Sequence, residues 1–209
     1  MNYQPLKYIY QPSGIPDAYT LLLLHGTVGD ENDLLPFANH FGDGINILSL
    51  RGNVSEAGMP RFFRRLGMGV FDEKDLKFRT EEMVAFIKQI AEQEKFNVEK
   101  VIALGYSNGA NIAGSALLLY PDFFAGAILY RPMQPYKVVD ENIKNNNHTP
   151  IFMSNGQADP TIDPADTQKL IATLKDAGFD VTNHSLPIGH QLARHDIQLS
   201  VQWYNKNFK

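Results

Sequence analysis

The sequence contains no cysteine. A disulfide framework, a thiolate metal site and a cysteine nucleophile are therefore excluded. It also lacks an apolar run near the ~20 residues that a membrane-spanning helix needs. Its apolar runs are short, such as the four leucines at 21–24, with Ala18 and Tyr19 just before them. Basic charge is not in excess either, with 19 Lys and Arg against 23 Asp and Glu for a net charge of −4. A general nucleic-acid binder would carry a basic face, so that class is set aside. The first eleven residues have no charged segment leading into an apolar one, so no signal peptide is expected there. Together with the missing cysteines, this gives the expectation of a cytoplasmic protein.

What is present is ordinary for a globular chain: 44% apolar and 20% charged residues over 209 positions. A length of this order fits one domain, taken here as 1–209. Short apolar runs at 19–24, 45–50, 98–104, 124–130 and 150–154 read as strands, and 181–186 as a last one. Between them lie amphipathic stretches. Asp30 is placed to cap a helix carrying Leu34, Leu35, Phe37, Ala38 and Phe41. Thr80 is placed to open a second, where Met83, Phe86, Ile87, Ile90 and Ala91 share one face. Further helices are expected over 108–120, from Pro164 to a C-terminal Gly178, and over 191–207. Near-continuous apolar strands alternating with helices predict an α/β fold, a mostly parallel sheet covered on both faces. In such sheets ligands sit beyond the carboxyl ends of the strands. Segments 51–79 and 131–149 resist assignment, and long loops of this kind are often functional.

The strand expected at 98–104 is followed by Gly105-Tyr106-Ser107-Asn108-Gly109 and then a helix. G-x-S-x-G in that setting holds a serine on a tight turn above the sheet, with glycines where strand and helix approach closely. The helix N-terminus behind it favours developing negative charge. Such a serine needs a base, and the base needs an orienting carboxylate. Of the histidines that follow, His148 precedes a strand, His184 lies inside one and His195 lies inside a helix. His190 alone follows a strand and precedes a helix, which selects it as the base. Asp159 follows the 150–154 strand and is the preferred acid. Asp163 is its rival but also suits the cap of the helix begun by Pro164. Two backbone N–H donors are expected for an oxyanion, from Asn108 and from Thr27 in the loop after 19–24. His25, beside that loop, is read as a structural support.

These marks, His25-Gly26-Thr27 with Gly29-Asp30-Glu31, the 105–109 turn, Asp159-Pro160 and Gly189-His190, span ~20 to 195. On them the sequence resembles the small serine carboxylesterase/lysophospholipase family of α/β-hydrolases, which also holds the acyl-protein thioesterases. Segment 51–73 resembles a bacterial hydrolase subgroup within it. The resemblance implies an α/β-hydrolase fold without a cap domain, a Ser107–His190–Asp159 triad, and oxyanion donors at Thr27 and Asn108. Two positions depart from the family pattern: Val28 stands where glycine is common and Asn108 where glutamine is. Neither change removes a backbone donor.

The expected activity is hydrolysis of small or medium carboxylic esters through an acyl-enzyme, without metal or cofactor. Thioesterase and lysophospholipase activities are the alternatives within the family. A non-catalytic binding protein on the same scaffold is the alternative outside it. For the substrate pocket, Arg51, Phe62, Phe63 and Arg64 are candidates from an arginine-rich loop, and Met133 from the segment after 124–130. The arginines would favour an anionic substrate group. The competing reading pairs them with Asp72, Glu73 and Asp75 and puts the phenylalanines in the core. Gly67 and Gly69, around Met68, are expected to loosen that loop. A homodimer is left open, with no residue to carry it.

Overall fold

In the computed structural model, residues 3–67 and 69–209 are described; residues 1–2 and Met68 lie outside them. Seven strands form the main sheet: β1 (Lys7–Gln11), β2 (Thr20–Leu24), β3 (Asn46–Arg51), β8 (Val101–Tyr106), β9 (Gly126–Tyr130), β10 (Pro150–Gly156) and β11 (Asp180–Leu186). Their order is β1-β3-β2-β8-β9-β10-β11. Every neighbouring pair is parallel except β1 with β3. β1 is absent from the sequence reading because its half-buried KYIYQ carries no apolar run.

The central strands read as near-continuous apolar runs because both faces are covered. Leu22 and Leu24 pack on one side, with Ala103, Leu129 and Met153, against α2 (Glu73–Glu94), α3 (Asn108–Leu119) and α4 (Pro164–Asp176). Leu21 and Leu23 pack on the other, with Ile102, Leu104 and Phe152, against Phe41 and against Ile197, Trp203 and Tyr204 of α5 (Arg194–Phe208). Period-2 alternation thus feeds two cores rather than one core and solvent.

Several assignments differ from expectation. Asp30 caps no helix; its carboxylate accepts from Asn32 N and faces Arg51, and α1 is a single turn, Leu35–Ala38, followed by a 3-10 turn at Asn39–Phe41. α2 begins at Glu73 rather than Thr80, because Asp72 accepts from Asp75 N and caps it. Thr80 lies inside the helix and donates its hydroxyl back to Leu76 O, an alternative use of a side chain that suits a cap. Segment 51–79 folds into two small hairpins before α2. They are β4 (Val54–Glu56) with β5 (Met59–Arg61), and β6 (Arg65–Gly67) with β7 (Val70–Phe71).

Strand order fixes where a site can form. From β2 the chain passes to β3 on one side, and β8 then enters on the other. The loops after β2 and β8 therefore diverge, and the crevice between them opens at the carboxyl edge.

Candidate active site

Ser107 stands in that crevice, between β8 and α3, with φ 52° and ψ −111°. A non-glycine residue at positive φ is held there by its surroundings. Here those surroundings are two glycine contacts. A Cβ on Gly105 would lie 2.5 Å from Gly109 O, and a Cβ on Gly109 would lie 2.0 Å from Leu24 O. Ser107 N donates to Tyr130 O at 2.9 Å, fixing the turn to β9.

His190 and Asp159 reach Ser107 from two loops joined to each other. Gln157 N donates to Leu186 O, and Ala158 N to Ile188 O, across the ends of β10 and β11. Ser107 Oγ donates to His190 Nε2 at 2.9 Å, and His190 Nδ1–H to Asp159 Oδ2 at 2.7 Å. Burial pushes the Asp159 carboxyl up, but the Thr161 hydroxyl and N–H and the His190 ring outweigh it and hold the carboxyl below its usual range. An ionised Asp159 accepts only, so it sets the tautomer with Nδ1 protonated and Nε2 free to accept from the serine.

Thr161 is a neighbour that the sequence reading missed. Its N–H and hydroxyl both donate to Asp159 Oδ1, at 2.9 and 2.6 Å, and its oxygen faces His190 Nδ1 at 2.8 Å. Because the Asp159 pKa is depressed on folding, the stability it contributes is present above the ordinary carboxylate range and is lost as pH falls through the lowered value. Thr161→Val removes one of the groups holding that pKa down. Its acid-unfolding midpoint is expected at higher pH than wild type, followed by circular dichroism; coincident curves would contradict the account.

The loop after β2 supplies the opposite wall. Val28 has φ 80°, unusual for a β-branched residue and natural for the glycine common at this position. The turn is closed by Gly29 N to Gly26 O, and Val28 N donates to Pro60 O. His25 is buried, which pushes its pKa down. Its Nδ1–H donates to Gly26 O and its Nε2 accepts from Gly52 N, so it braces the loop as a neutral ring.

A cavity of about 230 Å³ lies above Ser107. Thr27, Asn108, His190, Thr161 and Met133 line it, together with Phe71, Tyr106 and three arginines, Arg61, Arg65 and Arg131. The structure thus brings Ser107, Asp159, His190, Thr27, Asn108 and Met133 together. It does not bring Arg51, Phe62, Phe63 or Arg64 to the cavity. Phe62 and Phe63 are 2% and 0% exposed and belong to the core. Arg51 turns away to Asp30 and Glu31. Arg64 is 63% exposed and pairs with Asp72 and Asp75. The loop alternates anchor and wall: Phe62 N donates to Asn108 Oδ1 at 2.7 Å, and the arginines on either side, 61 and 65, face the cavity. Arg61 donates to Thr27 Oγ1 at 2.6 Å and pairs with Glu56, whose other oxygen takes Arg65 at 2.9 Å.

A model of the dienelactone hydrolase family matches residues 61–207. The chain belongs to that family. MhqD of Bacillus subtilis strain 168 is 43% identical over 201 residues, covering 96% of this chain and 98% of that one. A carboxylesterase of Bacillus cereus has a crystal structure that superposes with a TM-score of 0.93 at 42% identity, covering 97% of this chain and 95% of its own. YahD, solved with malic acid, superposes at 0.88 with 29% identity and covers 97% and 99%. This member of the dienelactone hydrolase family is an esterase-type hydrolase with the α/β-hydrolase architecture expected from the sequence. No helix among the described residues is long and apolar enough to cross a membrane.

Proposed function

We propose that this hydrolase cleaves small carboxylic esters through an acyl-enzyme on Ser107. The observation that carries the reading is the unbroken hydrogen-bond chain from Ser107 Oγ through His190 to Asp159 beneath a cavity. In the first half-reaction His190 Nε2 takes the serine proton as Oγ attacks the carbonyl, and returns it to the leaving alcohol. Asp159 stabilises the imidazolium between the two transfers. The N–H groups of Thr27 and Asn108 receive the oxyanion. Water, activated by the same histidine, then releases the acid.

Two properties of the cavity narrow the substrate. At about 230 Å³ it suits a small acyl group better than a long lipid chain. Arg61 and Arg65 stand on one wall of it, both paired with the carboxylate of Glu56. An ester or thioester with a carboxylate on its acyl or alcohol part fits it, in line with the dicarboxylate malic acid solved with YahD.

A fluorophosphonate probe tests the nucleophile: wild type is labelled and Ser107→Ala is not. Absence of label on folded wild type would remove Ser107 as the nucleophile. For the charge preference, Arg65→Ala is expected to lose about tenfold in kcat/KM on a hemisuccinate ester, and little on the matching neutral ester. Equal losses on the two would remove the anionic part of the proposal.

A further inference from the structure

Arg131 plays no part in the mechanism just described. It is nonetheless among the most completely buried large side chains of the molecule. It follows β9 with φ 57°, a left-handed conformation in a non-glycine residue. Its guanidinium forms a two-pronged pair with Asp196, at 2.9 and 2.8 Å, with both side chains 0% exposed. Asp196 in turn accepts from Ser154 Oγ and from Ala193 N at the start of α5.

A buried pair of this kind is poor evidence for stability, since desolvation offsets most of the attraction. What the remaining donors do is more telling. Arg131 Nε donates to Gly189 O at 3.3 Å and Nη2 to Gln191 O at 2.9 Å, the carbonyls on either side of His190. The carbonyl of His190 itself accepts from Tyr106 Oη at 3.2 Å. Three consecutive carbonyls are thus tied to side chains that leave β8 and β9, the strands that also fix Ser107. Arg131 N is held by Ser154 O at 2.8 Å, and Arg131 Nη1 by the same carbonyl at 3.0 Å, which brings β10 into the same frame.

We infer that Arg131 is a positioning residue for His190: its guanidinium, aligned by Asp196 and assisted by the Tyr106 hydroxyl, clamps the 189–191 backbone so that the imidazole stays in line with Ser107. The inference rests on His190 being the general base. Although Arg131 lines the cavity, its side chain is 0% exposed and its guanidinium is committed to Asp196. Arginine is needed for geometric reasons. A planar fork can serve a carboxylate and two separate carbonyls at once, whereas an ammonium is a point donor on a flexible stem.

The test is Arg131→Lys, which keeps a cation facing Asp196 but cannot span both carbonyls. With p-nitrophenyl acetate, kcat is expected to fall about 100-fold while KM stays near wild type, because misplacing a reacting group by ~1 Å costs that much. The low-field proton resonance of His190 Nδ1–H is expected to broaden or vanish, and the acid limb of the kcat/KM profile to move. Neither change follows from a general loss of stability. Tyr106→Phe removes the third tether without touching the ion pair and is expected to give the same pattern at smaller size.

Folded Arg131→Lys enzyme with wild-type kcat and an unchanged resonance overturns the inference. So does raised KM with the resonance intact, which would make Arg131 a substrate contact. Where Arg131→Lys does not fold, wild-type kcat in Tyr106→Phe overturns it. His190→Ala separates the two readings. Inactive His190→Ala with active Arg131→Lys removes the clamp alone. Active His190→Ala removes the base and the clamp together.

Discussion

Replacing Ser107 with alanine is expected to lower kcat for ester hydrolysis by about 10⁶-fold, and His190→Ala by a similar factor. The double variant is expected to be little worse than either single one, because serine and histidine act in one proton transfer and the first loss already forfeits it. Asp159→Asn is expected to cost about 10⁴-fold. An amide can donate to Nδ1, which favours the tautomer with the proton on Nε2, and that tautomer cannot accept from Ser107. Residual activity above the buffer rate is expected in all of them, since the Thr27 and Asn108 N–H groups remain to bind the oxyanion. Steady-state kinetics on p-nitrophenyl acetate checks the series. Additive losses in the double variant would mean that the serine and histidine do not work as a unit.

The second large effect concerns stability. Gly109→Ala is expected to destabilise the protein by about 3 kcal/mol, lowering Tm by roughly 6–12 °C for a chain of this size. Helix propensity argues the other way, since alanine is favoured over glycine inside a helix by about 1 kcal/mol. Packing decides the outcome here. The added Cβ would sit 2.0 Å from Leu24 O, 2.4 Å from Leu24 C and 2.7 Å from His25 O. All three are backbone atoms at the end of a central strand, so no side chain can swing away to relieve the contact. Relief requires α3 to lift from β2, separating Asn108 from Thr27, and kcat is expected to fall along with Tm. Differential scanning calorimetry paired with kinetics checks both. A wild-type Tm in Gly109→Ala would show that the helix and strand have slack.

The residues that could be read in advance are those whose place depends on chain order alone. Ser107, Asp159 and His190 each follow a strand, and in a parallel sheet all such positions face one edge. Their proximity therefore needed no knowledge of side-chain packing. The two-sided core was legible for the same reason, from unbroken runs such as Leu21 to Leu24. Arg51, Phe62, Phe63 and Arg64 were not legible as wall or filler. Composition places four arginines and two phenylalanines in one segment, but only the hairpin register decides which of them turn inward. Arg131 was legible only as part of the segment after 124–130 that could line the pocket, and Thr161 not at all, because their importance lies in bonds to backbone atoms of a distant loop and to an acid two residues away. No spacing rule advertises either. Helix α2 was cut short because Thr80 resembles a cap, and only tertiary contact with Ser115, at 2.6 Å, shows the hydroxyl to be interior.

The 61–65 segment has a consequence for how such a protein can change. Phe62 and Phe63 fasten it to the core, and Arg65 and Met133 line the cavity. Fastening and contact are thus assigned to different letters of the same short word. Under the proposed function, substitutions at 65 and 133 would alter which acids and alcohols are accepted while the fold is carried by their neighbours. A lineage can therefore explore new esters here in single steps, each one compatible with a folded ancestor.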